Sequence, residues 1–283
     1  MALLLLAADA LPGRVAAATV DHGLRAESAG EAARVAQFCE QIGVPHRILE
    51  VAVAEGNLQA QARAARYGAL SGWLESDGLA ALATAHHADD QAETLLARLN
   101  RASGVAGLAG VRARGLVPGT QAAALLRPVL GWRRAELAQI VAGAGLAAVD
   151  DPSNRDDRFD RARLRKALAD ADWIDVAAVA ESAAHLADAD AALDWAARRE
   201  WGEAVRREGL GLTYRPLAPR AVALRVLGRI VRELDGEEAR GSALARLFDA
   251  LLARQTASIG KLVARATPGG WSFSRAPQRR VQD

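Results

Sequence analysis

Short apolar runs alternate with longer amphipathic segments over the first 168 residues of the chain. The apolar runs are bounded by polar residues, which is typical of buried parallel strands, and they lie at residues 15–20, 47–53, 79–84 and 125–130. The segments between them have helical periodicity. Strands and helices that alternate at these spacings predict right-handed βαβ units, so we expect an α/β domain with a parallel sheet.

Residues 2–11 predict an apolar helix that begins with neither a capping side chain nor a preceding strand. A helix this apolar normally packs beneath a sheet. The other helices of this region have ordinary signals, such as the capping box that Ser28 and Glu31 would form. They are predicted at residues 28–42, 57–74, 94–100 and 133–144.

Beyond residue 170 the pattern changes to helices alone, predicted at 173–207, 219–234 and 242–254. Two short apolar runs at 260–265 and 271–275, joined by a Pro-Gly-Gly turn, then predict a terminal β-hairpin. We therefore expect a first domain at 1–168 and a smaller helical domain at 169–283 that ends in the hairpin.

Composition excludes few function classes. The chain is 51% hydrophobic and 25% charged, which is ordinary for a globular protein, and a net charge of +2 is too small to imply nucleic-acid binding. Arginine carries nearly all of the positive charge, because Lys166 and Lys261 are the only lysines. Guanidinium groups suit phosphate, but codon bias in a GC-rich genome explains the same excess.

Cys39 is the single cysteine, so neither a disulfide nor a cysteine pair for redox or metal chemistry can form within the chain. The apolar start lacks a basic region and a cleavage site, and it is too short to span a membrane. The cytosol is the expected compartment.

Residues 85–94 pack two imidazoles and three carboxylates into the junction between a predicted strand and a helix. Open α/β folds bind ligands at this edge of the sheet. Asp90 and Glu93 are three residues apart, so their carboxylates share one helical face and could hold Mg²⁺ or an amine. The same spacing is equally typical of a helix-capping pair. A metal site shared by His86 and His87 is less expected, because adjacent strand residues point in opposite directions.

Other polar residues have a functional and a structural interpretation. His22 and Arg25 follow the first strand and would lie at the same edge, or serve only as loop residues. Three arginines fall on one helical face and could bind phosphates or pair with neighbouring aspartates: Arg158, Arg161 and Arg165. The glycine-rich stretch 104–110 follows a helix, unlike a dinucleotide-binding loop, and predicts a flexible connection.

Several motifs occur in a characteristic order within residues 1–168. They are Val20-Asp21-His22-Gly23-Leu24-Arg25, Ala64-Ala65-Arg66-Tyr67, His86-His87-Ala88-Asp89-Asp90-Gln91-Ala92-Glu93-Thr94, Arg101-Ala102-Ser103-Gly104-Val105-Ala106-Gly107-Leu108, Arg127-Pro128-Val129-Leu130, Asp151-Pro152-Ser153-Asn154 and Arg161-x-Arg163-x-Arg165. In this order they resemble the tRNA(Ile)-lysidine synthetases, a family of PP-loop ATP pyrophosphatases. The block from His86 to Thr94 is highly specific.

The resemblance implies a Rossmann-like PP-loop ATPase domain and a reaction in two steps. ATP adenylates the carbonyl of the wobble cytidine in a tRNA(Ile) with a CAU anticodon, and the amine of free L-lysine then displaces AMP. The resemblance also implies ATP and Mg²⁺ as cofactors, and it allows a homodimer. The implied residues are Asp90 and Glu93 for catalysis, Asp90 for Mg²⁺, Asp21, His22, Arg25 and His86 for ATP, and Arg101, Arg158, Arg161, Arg163 and Arg165 for tRNA.

Two departures from the family pattern matter. Ala162 stands where the family usually has asparagine between the arginines. The family's Ser-Gly-Gly-x-Asp-Ser loop, whose backbone N–H groups cradle pyrophosphate, does not occur in the sequence. We expect it upstream of Met1, with Met1 an internal methionine, and we expect a chain of this extent to bind ATP poorly.

Other functions remain open at this point. One is a degenerate paralogue that binds tRNA without modifying it. Another is a metallohydrolase built on His86, His87, Asp89 and Asp90, which would hold a transition metal tightly. A thiolating enzyme is disfavoured because Cys39 has no second cysteine.

Overall fold

The computed structural model describes residues 1–23, 28–52, 54, 58–146 and 160–276. The chain divides into two compact units, one of residues 1–103 and 107–184, the other of residues 104–106 and 185–283. The division falls inside a single long helix, whereas the boundary predicted between residues 168 and 169 lies before that helix begins.

The first 170 residues form an α/β arrangement with parallel strand pairs, as the sequence predicts. The elements are α1 (Ala2–Ala10), β1 (Ala17–Asp21), α2 (Ser28–Gln41), β2 (His46–Glu50), α3 (Leu58–Ser76), β3 (Ala81–Ala83), α4 (Ala88–Leu99), α5 (Val105–Leu108), β4 (Arg114–Leu116), β5 (Ala124–Leu126), α6 (Arg134–Gly143) and α7 (Asp160–Asp170). Strands β1 and β2 pair in parallel, and so do β3 and β5, while β4 pairs antiparallel with β5.

Helix α3 provides the main apolar face of this unit. Its buried side chains recur at helical spacing and pack against residues of β1, β3 and β5. The α3 residues are Tyr67, Leu70, Trp73 and Leu74. The apolar helix predicted at the chain start is confirmed as α1, and it packs on the buried residues Leu137 and Val141 of α6.

Three details differ from the sequence-based expectation. Helix α4 begins at Ala88, six residues before the predicted start, because polar residues fill its first turns. The stretch 104–110, predicted as a flexible connection, contains the helical turn α5. Strand β4 was not predicted, since its three residues are all exposed and only Leu116 is apolar.

The rest of the chain is only partly helical, so the prediction of a helical domain was incomplete. Its elements are α8 (Val176–Ala204), β6 (Val205–Glu208), β7 (Gly211–Tyr214), α9 (Arg220–Asp235), α10 (Gly241–Leu252), β8 (Ala257–Ile259), β9 (Leu262–Thr267) and β10 (Gly270–Arg275). The strands form one antiparallel sheet in the order β6-β7-β10-β9-β8. The predicted terminal hairpin is confirmed as β9 and β10.

Strand β6 escaped prediction because Arg206, Arg207 and Glu208 continue the charged helical pattern of α8, and its antiparallel partner β7 was missed with it. One face of the sheet packs against α9 and α10, with Tyr214, Phe273, Leu227 and Leu251 almost fully buried between them. No helix among the described residues is both long and apolar enough to cross a membrane.

The buried carboxylate of this second unit has a structural explanation. Glu200 is 5% exposed and accepts hydrogen bonds from the Tyr214 hydroxyl at 3.1 Å and from the Leu217 and Ala218 N–H groups at 2.7 and 3.1 Å. Burial, together with the charge of Glu200, raises the pKa of Tyr214. Glu200 therefore fixes the chain after β7 rather than providing reactive chemistry.

Candidate functional site

Asp21 is the last residue of β1 and lies at the carboxyl end of this strand. Its carboxylate accepts hydrogen bonds from the Ser28 hydroxyl at 2.7 Å and from the Gly23 N–H at 2.9 Å. The Ser28 hydrogen bond, followed by that of Gly23, lowers the pKa of Asp21. Asp21 thus ties β1 to the start of α2, and the prediction that it binds ATP stays untested.

Cationic side chains gather at the ends of β1 and β5. His22 Nε2 lies 3.4 Å from Arg66 Nη2, and the Arg63 guanidinium lies 4.9 Å from the centre of the Tyr67 ring. Arg127, which follows β5, is partly buried and feels the charge of Arg63; burial is the main cause that lowers its pKa. Burial and then the charge of Arg66 likewise lower the pKa of His22. We call His22, Arg63, Arg66 and Arg127 the cationic cluster, whose positive charge comes from the three arginines.

Two nitrogen atoms of this cluster lack a partner. His22 Nδ1 and Arg127 Nε are buried, and neither has a hydrogen bond to any described residue. A buried polar atom without a partner is costly and is often explained by a ligand or an ion. Both atoms belong to groups that can donate to an anion.

Asp90 occupies the first turn of α4, where His87 is the N-cap residue. The His87 N–H donates to Asp90 Oδ2 at 3.0 Å, which is one half of a capping box. Asp90 therefore caps the helix with His87, whereas the capping pair considered for Asp90 and Glu93 does not form, because Glu93 pairs with Arg165. The Asp90 side chain remains 17% exposed, so its carboxylate can still meet a ligand.

Glu93 lies one turn further along α4 and faces α7. Its side chain is 2% exposed, and its Oε1 accepts a hydrogen bond from Arg165 Nε at 2.8 Å. Arg165 Nη2 approaches Oε2 at 3.5 Å, so the guanidinium spans both oxygens. The hydrogen bond to Glu93 raises the pKa of Arg165 against the opposing effect of burial, and the charges of Glu93, Asp90 and Asp89 add to the rise. The structure thus brings Asp90, Glu93 and Arg165 together.

Asp89 joins α4 to α6. Its Oδ2 accepts a hydrogen bond from the Arg134 N–H at 2.8 Å, and the Arg133 guanidinium approaches at 3.3 and 3.4 Å. In return, the Ala88 N–H donates to the Trp132 carbonyl at 2.8 Å. The N-termini of α4 and α6 therefore provide hydrogen-bond partners for each other's backbone N–H groups.

We expect Asp89 to make stability depend on pH. Burial would raise the pKa of Asp89, but the hydrogen bonds from Arg134 and Arg133 outweigh it and lower the pKa. A carboxyl whose folded pKa is depressed stabilises the fold above its unfolded pKa of about 3.9, and this contribution disappears as pH falls through the folded pKa. The midpoint of urea unfolding should therefore be lower for Asp89→Asn than for the wild type at pH 7. The difference should close below pH ~4. A difference independent of pH would contradict this assignment.

Gln91 holds the glycine-rich stretch against α4. The side chain is 4% exposed, accepts a hydrogen bond from the Val111 N–H at 2.6 Å and donates to the Val111 carbonyl at 2.8 Å. Arg98 Nη1 donates to the Gly107 carbonyl at 2.6 Å. This stretch is therefore anchored by α4 at two points. The role of Gln91 could not be predicted from the sequence, because its partner lies 20 residues away.

A side chain at Gly110 should destabilise the protein. It has a φ of +62°, and a Cβ atom there would lie 2.3 Å from Gln91 Oε1. The left-handed backbone costs about 1–2 kcal/mol for alanine, and displacing Gln91 would weaken two hydrogen bonds of about 1 kcal/mol each. We expect Gly110→Ala to lower the free energy of unfolding by about 3 kcal/mol, measured by urea denaturation with circular dichroism.

Gly72 is the matched control for this prediction. It lies inside α3, and a Cβ atom there would meet nothing within 4 Å. Gly72→Ala should stabilise the protein by about 0.5–1 kcal/mol, because alanine loses less entropy in a helix. Equal effects of the two substitutions would exclude the contact between Gly110 and Gln91 as the cause.

The remaining predicted residues are dispersed. The Thr84 hydroxyl and His86 Nδ1 are 2.9 Å apart and hydrogen-bonded. Arg101 and Arg163 line one cavity between α4 and α7. Arg161 belongs to α7, but its side chain is not among the described ones, and Arg25 and Arg158 lie outside the described residues. No group of three or more potential metal ligands occurs among the described His, Cys, Asp and Glu residues, so the structure gives a metallohydrolase no support.

The chain is similar in sequence to members of one protein family. The family model for the PP-loop domain matches residues 1–171. A tRNA(Ile)-lysidine synthase of Novosphingobium aromaticivorans is 49% identical over 283 residues, which covers 99% of this chain and 86% of that protein. One of Zymomonas mobilis is 41% identical over 273 residues, which covers 94% of this chain and 82% of the relative.

A solved structure with a similar fold is the U34-tRNA thiolase NcsA from Methanococcus maripaludis with its [4Fe-4S] cluster. The TM-score is 0.51 at 12% identity, over 65% of this chain and 66% of that one. At this identity the likeness concerns the fold alone. It agrees with the α/β arrangement described above.

Proposed function

This chain belongs to the tRNA(Ile)-lysidine synthase family of PP-loop proteins, and from that premise we propose that it forms lysidine in tRNA(Ile). ATP would activate the wobble cytidine: the C2 carbonyl oxygen attacks the α-phosphorus, and pyrophosphate leaves. An amine of free lysine would then attack C2, and the C2–oxygen bond would break as AMP leaves.

The observation that carries this proposal is the convergence of Asp90, Glu93 and Arg165 at the start of α4, beyond the carboxyl end of β3. Open α/β sheets place their ligands at this edge. Two carboxylates and one guanidinium leave one negative charge. That excess suits a cationic ligand, such as the ammonium of lysine or Mg²⁺ bound to phosphate.

The two carboxylates would have different roles. Asp90 is the more exposed, with 17% of its side chain accessible against 2% for Glu93. Asp90 would therefore contact the lysine ammonium or Mg²⁺ directly. Glu93 would act as a positioning residue, because its hydrogen bonds hold Arg165 beside Asp90. The lysine ammonium must lose a proton before its nitrogen can attack, and a neighbouring carboxylate can accept it.

The cationic cluster fits the phosphates of ATP. Arginine and histidine donors suit phosphate oxygens, and the buried His22 Nδ1 and Arg127 Nε would gain the partners that they lack among the described residues. Negative charge develops on the α-phosphate and on pyrophosphate during adenylation, and fixed cations stabilise it. Mg²⁺ commonly needs only one or two carboxylates beside substrate phosphates. Asp90 could provide one.

Binding of tRNA would use arginines of α7 and the segment after α4. Arg163 and Arg101 are exposed, and guanidinium groups are typical phosphate ligands. We keep Arg158, Arg161 and Arg165 in the proposed tRNA-binding set, although Arg165 faces Glu93 in this structure. It would have to contact RNA with its remaining N–H groups or exchange partners.

Incorporation of radiolabelled lysine into a tRNA(Ile) transcript with a CAU anticodon, by a longer chain that supplies the Ser-Gly-Gly-x-Asp-Ser motif, tests the function. We expect incorporation to require ATP and to release AMP and pyrophosphate. A transcript with uridine at the wobble position is the control, because it has no cytidine to modify. Equal incorporation into both transcripts, or release of inorganic phosphate in place of pyrophosphate, would contradict the proposal.

A second candidate function is binding of tRNA without modification. The observation in its favour is that the 283 residues contain no Ser-Gly-Gly-x-Asp-Ser sequence to cradle pyrophosphate. This alternative predicts tight tRNA binding with no incorporation of lysine. It also predicts no incorporation when that motif is supplied in a longer chain, which is the outcome that separates it from the enzymatic proposal.

A further inference from the structure

A cavity of about 310 Å³ lies between α4 and α7, separate from the Glu93–Arg165 pair. Its volume is at the lower end of the range of small-molecule sites, roughly 300–1,000 Å³. It can therefore take a group the size of one nucleotide but not a duplex. The lining residues are Ala97, Asn100, Arg101, Arg163, Leu164 and Ala167.

The cavity continues the helix face that carries Glu93. Ala97 and Asn100 follow Glu93 by four and seven residues, and this spacing places them on one side of α4. Asn100 retains helical backbone angles, with φ −60° and ψ −18°. At 1.5 Å per residue, Ala97, the first cavity residue of α4, lies about 10 Å along the helix axis from Asp90.

The chemistry of the lining suits a nucleotide. Arg101 and Arg163 bring two guanidinium groups from different segments to one opening, which favours a phosphate. Ala97 and Leu164 are half-buried and offer an apolar surface for a base. The Asn100 amide can both donate to and accept from the edge of a base.

The spacing favours a neighbour of the reacting nucleotide. Stacked nucleotides rise roughly 3.4 Å each, so about 10 Å corresponds to at most about three stacked steps, and to fewer in a splayed strand. Proteins that read RNA sequence mostly bind unstacked bases of loops. An anticodon loop whose wobble base lies near Asp90 would bring an adjacent nucleotide to this cavity.

We propose that the α4–α7 cavity binds a nucleotide flanking the wobble cytidine, with its phosphate between Arg101 and Arg163 and its base against Leu164. The identity of the RNA rests on the proposed function. The cavity would thus read a second position of the anticodon loop, in addition to the reacting base.

A double-mutant cycle between protein and RNA tests this proposal. Leu164→Trp fills the cavity, and tRNA(Ile) transcripts carry one abasic nucleotide on either side of the wobble position. Affinities are measured by fluorescence anisotropy at one salt concentration. For the wild type, the abasic change at the bound position should weaken binding about tenfold. For Leu164→Trp, the same abasic nucleotide should weaken binding by almost no further amount.

Arg163→Ala provides a second arm that avoids added bulk, and Arg34→Ala is its matched control. Arg34 is an exposed arginine of α2 outside the cavity, so it reports the general loss of one positive charge. Arg163→Ala should weaken binding more than Arg34→Ala and should reduce the abasic penalty. Penalties that add in full at both flanking positions, or equal losses for the two arginine variants, would overturn the proposal.

Failure of this proposal is distinguishable from failure of the proposed function. The cycle measures binding and needs no lysine incorporation. Non-additive binding without lysidine formation would retain the cavity and remove the enzymatic function. Lysidine formation with additive binding penalties would retain the enzymatic function and remove the cavity as a nucleotide site.

Discussion

Replacing Asp90 with asparagine should lower the rate of lysidine formation by about 10²–10⁴-fold, the range typical of a lost acid–base group. Asparagine keeps an oxygen that can accept the hydrogen bond from the His87 N–H, so the start of α4 is preserved. What disappears is the negative charge that would hold a cation beside Arg165. Lysine incorporation under saturating ATP and tRNA measures the effect, with unfolding by urea as a check on stability.

The two half-reactions identify the cation that Asp90 serves. Accumulation of adenylated tRNA without lysine transfer would assign the carboxylate to the lysine ammonium, whereas loss of adenylation would assign it to Mg²⁺. Asp188→Asn is the matched control, because this exposed aspartate lies on α8 in the second unit. A rate for Asp90→Asn close to that of Asp188→Asn would exclude a direct role for Asp90.

Replacing Arg165 with methionine should destabilise the protein by about 2–3 kcal/mol. Breaking a buried ion pair from one side costs about 3–5 kcal/mol, and we reduce this value because 32% of the Arg165 side chain is exposed. The cost arises because Glu93, with 2% of its side chain exposed, would remain charged without its partner. Urea unfolding at pH 7 measures it.

The pair should respond asymmetrically to substitution. Glu93→Gln should cost only about 1 kcal/mol, since the Arg165 guanidinium can turn to water and the amide can still accept a hydrogen bond. Combining the two substitutions should therefore restore part of the stability lost in Arg165→Met alone. The exposed pair Arg199–Glu203 is the control, where Arg199→Met should change stability by less than about 1 kcal/mol. Equal costs for Arg199→Met and Arg165→Met would contradict the burial of Glu93.

Hydrophobic periodicity and turn signals were sufficient to predict the elements whose buried apolar residues lie close together along the sequence. Helix α1, the parallel pairs around β1 and β3, and the β9–β10 hairpin belong to this class. Strands β4 and β6 were missed because they bury little: all three residues of β4 and three of the four residues of β6 are exposed. Strands without buried apolar residues lack the pattern on which such a prediction depends.

The same distinction applies to the site. The position of Asp90 and Glu93 at a sheet edge follows from a strand that precedes a polar helix start. The partners of Asp89 and Glu93 could not be predicted, because Arg134 and Arg165 lie 45 and 72 residues further along the chain. Charge patterning suggested that Arg165 would bind phosphates or pair with neighbouring aspartates, whereas the packing of α7 on α4 directs it to Glu93.

Gln91 sits between Asp90 and Glu93 on α4, and its amide binds both backbone groups of Val111 as a neighbouring strand would. A rotation of α4 about its axis would therefore move the chain around Val111 together with the Asp90 and Glu93 carboxylates. Helix α4 and the chain around Val111 should therefore move together, because Gln91 joins them. A displacement at one end cannot leave the other in place, so thermal fluctuations of the glycine-rich stretch and of the Asp90 and Glu93 carboxylates should be correlated.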